Sequence, residues 1–303
     1  MAAGLCHGAI GTDTGGSIRM PAAVNGLSGI MPTWGRVSRH GVFPLVESLD
    51  HVGPMARSLA DAAAILQVIA GADTADPTSQ CSPDAVFGEG QDKIEGRVIG
   101  YDPRLLEEDV DPLLADAVRQ TMEIFRSAGL IVREARFPRL DRVGMETFGM
   151  MAEMAVAHEE RFRDYSDRYG ARLRSTVKAA AQVPGKDVAR AYLARDRFAG
   201  EVNTAFRSID MLLTPALPEP APLWTDYDAV LDDMAAIGRR FTRFLSPFNI
   251  AHVPAIVFPI GQDGNGVPIA AQLVAAPWQE ALLCHTGMAF QAATTHHLCH
   301  PTL

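Results

Sequence analysis

The chain has 303 residues, 48% hydrophobic and 21% charged, enough to bury a large core as one big domain or two smaller ones. Its formal net charge of −9 argues against a general nucleic-acid or membrane-surface binder, which would present a basic face. Cys6, Cys81, Cys284 and Cys299 form no C-x-x-C pair, which argues against a disulfide framework or a structural zinc site and fits reduced thiols.

In chain order, Leu5–Ile10 reads as a short buried strand that enters Gly11-Thr12-Asp13-Thr14-Gly15-Gly16-Ser17-Ile18-Arg19. Pro21 suits the first turn of a short helix after Ser17. Residues 29–56, rich in Gly and Pro, read as strand and loop. Ser58 caps a helix that Gly71 ends in the left-handed conformation. Residues 72–92 read as a polar loop and Arg97–Tyr101 as a strand. Asp111 caps a helix with Pro112 at its first position, and Leu114, Val118, Met122 and Phe125 share its apolar face. Gly129 ends that helix, and Leu130–Phe137 has strand character.

Residues 139–207 are helical and charged, broken near Gly170 and at Pro184-Gly185. Ile209–Thr214 is an apolar strand followed by the prolines Pro215, Pro218, Pro220 and Pro222. A helix is predicted over about 229–245. Pro254–Ile260 and Val267–Ala275 flank Asp263-Gly264-Asn265-Gly266, a strong hairpin signal. A last helix spans Gln279–Ala293. Alternating helices and strands predict an α/β layered fold. No run of about 18 apolar residues marks a transmembrane helix, and residues 1–10 lack the pattern of a signal peptide. A cytoplasmic protein is the expectation.

The chemistry points to residues 11–19. Glycines permit close approach and φ > 0, and successive N–H groups at such a turn converge into an anion-binding concavity. A serine there can attack a carbonyl while those N–H groups hold the oxyanion. A side chain at either Gly15 or Gly16 is expected to disturb the loop. The segment lacks the Lys-Ser/Thr ending of a phosphate-binding P-loop. His296, His297 and His300 lie near Cys299, but a frayed polar tail explains them better than a metal site.

Four blocks in order extend the signal: GTDTGGSIRMPA (11–22), SLDHVGPMAR (48–57), DMLLTPALPEPAP (210–222), and PFNIAHVPAIVFPIG with GVPIAAQLV (within 247–274). Together they resemble the amidase signature family along essentially the whole chain. The resemblance implies an α/β/α sandwich around a mixed sheet, residues 1–303 as part of one amidase domain, and hydrolysis of carboxylic amides with no metal or organic cofactor. Carried over position by position, Ser17 is the nucleophile of a serine–serine–lysine triad. Thr14, Gly15, Gly16 and Ser17 supply the oxyanion N–H groups, and Asp13 and Arg19 brace the loop.

The family's bridging serine and lysine lie N-terminal to the nucleophile, and this chain starts 16 residues before Ser17. Neither residue has a counterpart here, so the family fold is expected to be N-terminally truncated. The three lysines, Lys93, Lys178 and Lys186, do not fit the role. Uncovered strand edges then predict poor solubility or a homodimer. A Ser-His-Asp arrangement through His51 and Asp50 is an alternative shuttle, and His252 is a candidate pocket residue. Phe148, Met150, Met151, Met154 and Trp224 lie in segments that could wall an apolar pocket, though a Met or aromatic stripe on a helix is more often core.

The expected substrate is a small aliphatic or aryl amide, with no nucleic-acid or membrane partner. Two other readings remain open: the glutamine-hydrolysing A subunit of a tRNA-dependent amidotransferase, and a non-catalytic remnant serving as an interaction protein.

Overall fold

The computed structural model describes residues 1–81, 83, 85–88, 94–223, 225 and 234–301. Eight strands form one sheet: β1 (Gly8–Asp13), β2 (Ser28–Met31), β3 (His51–Ala56), β4 (Val98–Tyr101), β5 (Ile131–Glu134), β6 (Met211–Pro215), β7 (Ala255–Gln262) and β8 (Pro268–Ala275). Their order is β1-β3-β2-β7-β8-β6-β4-β5. β4 runs parallel to both β5 and β6, and the remaining pairs are antiparallel, so the sheet is mixed.

Strand alternation sends successive side chains to opposite faces. On β7, Ile256, Phe258 and Ile260 join one apolar cluster, with the helices Leu59–Ile69, Pro112–Ser127 and Glu280–Ala292. Ala255 joins the cluster on the other face, with Met150, Phe198 and Val202 from the helical region and Phe248 from the helix Ser246–Ile250. The fold is therefore an α/β/α arrangement around a mixed sheet.

The helix signals act as their chemistry predicts. Ser58 Oγ accepts the Asp61 N–H at 3.1 Å and donates to the Asp61 carboxylate at 2.7 Å. Asp111 accepts the Leu113 N–H at 2.8 Å, with Pro112 in the first turn. In the hairpin, Asp263 Oδ1 accepts the N–H groups of Asn265 and Val267, both at 2.8 Å.

Three local expectations change. The first strand is β1, three residues later than predicted, and it lies at the sheet edge rather than in the core. Leu5 is 87% exposed and Ile10 57%. An apolar run marks a strand but does not say whether both of its faces are covered. Gly71 does not close its helix in the left-handed well: the helix ends at Ile69, Ala70 is extended, and Gly71 takes φ +142° while its N–H donates to Arg36 O at 2.9 Å. The helix predicted over 229–245 begins outside the described residues. Its described part is a short helix, Met234–Ile237, widening into a π-turn, Gly238–Thr242, before Ser246–Ile250.

Candidate active site

The β1–β3 ladder ends at the pair Asp13 and His51. From there the chain turns through Thr14–Ile18 into the helix Arg19–Val24. Asp13 is fully buried and organises this turn. Its Oδ1 accepts the Gly16 N–H at 2.7 Å, and its Oδ2 accepts the N–H groups of Ile18 and Arg19 at 3.2 and 3.3 Å. The Arg19 guanidinium clasps the same carboxylate through Nε at 3.0 Å and Nη2 at 3.1 Å. This two-point geometry is the strong form of the pair.

The remaining valences of Arg19 reach across the sheet. Nη1 donates to Gln272 Oε1 on β8 at 2.8 Å, and Nη2 to Asn249 Oδ1 at 2.6 Å. Asn249 Nδ2 in turn donates to the Asp13 carbonyl and to Asp13 Oδ1, both at 2.8 Å. Gln272 Nε2 donates to the Phe244 carbonyl at 2.7 Å. Burial raises the Asp13 pKa, but the Arg19 charge and the hydrogen bonds from Arg19 and Asn249 outweigh it and hold it at about 2. Asp13 and Arg19 thus lie inside the loop, bonded to each other and to its backbone.

Sequence reasoning missed Asn249 and Gln272 as individuals. The available signal was a lone amide inside an apolar run, Phe248-Asn249-Ile250 and Ala271-Gln272-Leu273. Both are buried, and a buried amide needs partners.

The outward face of the loop is different. Ser17 is exposed, and its hydroxyl makes no hydrogen bond to a described residue. Thr14 Oγ1 donates to Asp50 Oδ1 at 2.5 Å. Gly16, expected among the oxyanion donors, spends its N–H on Asp13, which leaves Thr14, Gly15 and Ser17 as the candidate donors. The two glycines also differ. Gly16 has φ +131°, and an added Cβ would lie 2.7 Å from Leu245 Cδ1. An added Cβ at Gly15 would meet Ser246 Cβ at 3.6 Å, an ordinary contact. The expectation that either glycine excludes a side chain therefore holds sterically for Gly16 alone.

The Ser-His-Asp alternative is not assembled. His51 is buried, with Nδ1 2.7 Å from the Leu49 carbonyl, and burial lowers its pKa to about 3. Asp50 serves Thr14 and the Leu45 N–H instead, the latter at 2.8 Å. His252 is packed, stacked 4.9 Å from Trp34 with Nε2 2.8 Å from the Ser48 carbonyl. Of the apolar candidates, Met150 and Met154 are core, and Met151 packs beside them. Phe148 is 51% exposed and its neighbour Met145 85%. They follow Gly144, where an added Cβ would lie 4.0 Å from Ser246 Oγ, the residue whose Cβ an added side chain at Gly15 would meet. Trp224 and Lys93 lie outside the described residues, and Lys178 and Lys186 are exposed on helices of the 171–205 region. Among the described residues, no three His, Cys, Asp or Glu side chains gather to hold a metal. No described helix is long and apolar enough to cross a membrane.

Comparison with known proteins assigns the class. The family model described as Amidase matches residues 1–284, and the chain belongs to that family. The chain is 36% identical to the putative amidase AmiD of Mycobacterium tuberculosis (strain ATCC 25618 / H37Rv), over 99% of this chain and 63% of that protein. It is 32% identical to the A subunit of the glutamyl-tRNA(Gln) amidotransferase of Pediococcus pentosaceus, over 100% of this chain and 67% of that one. Among solved structures, 6-aminohexanoate cyclic dimer hydrolase superposes with a TM-score of 0.88 at 26% identity, over 99% of this chain and 67% of its own. The chain thus spans somewhat under two thirds of the AmiD protein's length.

Proposed function

We propose that this chain carries the nucleophile half of an amide-hydrolysing site. The observation that carries the reading is the contrast at one loop: an exposed, unengaged Ser17 hydroxyl on a backbone fixed from within by a buried carboxylate. In this reading Ser17 Oγ attacks the amide carbonyl carbon and passes its proton to a base. The N–H groups of Thr14, Gly15 and Ser17 hold the tetrahedral oxyanion. The C–N bond then breaks, the amine leaves with a proton, and water hydrolyses the acyl ester to the acid. No described side chain bonds Ser17 Oγ to act as that base. The family resemblance assigns the role to a lysine and a bridging serine N-terminal to the nucleophile segment.

The exposed apolar side chains of Met145 and Phe148, in the segment after Gly144, support an aliphatic or aryl amide over a polar one. The likeness to the A subunit of an amidotransferase supports glutamine hydrolysis as the second reading. Residues 1–303 are taken as part of one amidase domain in a cytoplasmic setting, consistent with four free cysteines, three of them exposed. The exposed β1 edge supports a homodimer, which the molar mass from light scattering tests directly. For the chemistry, a fluorophosphonate probe should label the full chain and not Ser17→Ala. Folded chain that resists labelling would favour the non-catalytic reading.

A further inference from the structure

Beyond the last ladder pair, Asp13 with His51, the antiparallel register sets Thr14 opposite Asp50. The two side chains meet there at 2.5 Å, the length of a charge-assisted O–H···O⁻ bond. Asp50 is buried, and its other oxygen accepts the Leu45 N–H at 2.8 Å, while Oδ1 also takes the Val46 N–H at 3.3 Å. The carboxylate is thereby fixed by its own loop before it grips Thr14.

The two acidic residues divide the turn between them. Asp13 holds the N–H groups of residues 16, 18 and 19. Asn249 holds the Asp13 carbonyl, and a trans peptide then directs the Thr14 N–H the opposite way. The Thr14-to-Gly15 link is the part that neither Asp13 nor Asn249 reaches. Its conformation decides where the Gly15 N–H points, and the Thr14 hydroxyl on Asp50 is the side-chain tether that fixes it.

We propose that Asp50 is a positioning residue for the Ser17 site, acting through the Thr14 hydroxyl to aim the Gly15 N–H at the oxyanion. The inference rests on the amide-hydrolysis reading for its purpose, but the tether can be tested separately. Thr14→Val removes the hydroxyl and keeps the branched shape; Thr14→Ser keeps the hydroxyl.

With the full chain and a fluorophosphonate, Thr14→Val and Asp50→Ala should each slow Ser17 labelling by at least about tenfold, towards the roughly hundredfold loss of a removed oxyanion donor. Thr14→Ser should stay within about twofold of wild type, and the double variant should be no slower than Asp50→Ala, because both remove one interaction. In parallel, the Gly15 amide resonance should shift the same way in Thr14→Val and Asp50→Ala and stay put in Thr14→Ser, with the β7–β8 amides unmoved. If Asp50→Ala fails to fold, Thr14→Val against Thr14→Ser still decides. Wild-type labelling in Thr14→Val, additive losses in the double variant, or an unmoved Gly15 amide would overturn the proposal. Failure of wild type to label, with the Gly15 shifts as expected, would instead remove the catalytic reading and leave the tether standing.

Discussion

The inner and outer faces of the turn at residues 13–19 are built on opposite principles. Inside, Asp13, Arg19, Asn249 and Gln272 are all buried and bonded to one another across β1, β8 and two short helices. Outside, Ser17 faces solvent with its hydroxyl unengaged by any described residue. A buried ion pair survives desolvation only when its hydrogen-bonding capacity is filled, and a nucleophile is useful only when its oxygen is left accessible. The turn spends its carboxylate on backbone N–H groups and leaves its serine exposed, as the proposed nucleophile role of Ser17 requires.

This division predicts how the faces separate under mutation, measured as folding stability by urea denaturation. Asp13→Ala should do the most damage, about 3–5 kcal/mol, because it strands Arg19 in the core without its counter-charge. Gly16→Ala comes next, about 1–3 kcal/mol, from its φ of +131° and the clash with Leu245, whereas Gly15→Ala should stay within about 0.5 kcal/mol. Equal losses at the two glycines would erase the steric distinction between them.

Acid provides a finer probe. His51 titrates at about 3 in the fold, against a usual 6.5, so the unfolded chain binds its proton first. Its contribution is complete above pH 6.5 and is lost as pH falls from there toward 3. Asp13, held at about 2 against 3.8, loses its contribution only below about pH 4. The urea midpoint should therefore begin to fall near pH 6.5, where burial also lowers His158 and His252, and His51→Gln should make that first limb shallower; an unchanged limb would place its origin in the other histidines. The smallest effect belongs to the outer face. Ser17→Ala should leave stability within about 0.5 kcal/mol while abolishing probe labelling, and a large loss of stability would show that Ser17 is not confined to the outer face.

The sequence itself determined which residues stand at the turn and much of the scaffold. Gly-Gly-Ser after a strand, Ser58 and Asp111 as caps, Pro112 in a first turn and the Asp-Gly-Asn-Gly hairpin each carry local chemistry that acts within a few residues. The contacts that hold the turn are not local. Arg19 finds Gln272 and Asn249 more than two hundred residues away, and Asp50 reaches Thr14 through the β1–β3 register. Only the tertiary structure decided that β1 is an edge, that Met150 is core while Phe148 is exposed, and that Gly16 turns its N–H inward. Periodicity records where apolar side chains recur, but burial and hydrogen-bond partnership depend on which distant strand arrives alongside. The candidate nucleophile was legible in its own neighbourhood, while the buried network beneath it exists only once the sheet has formed.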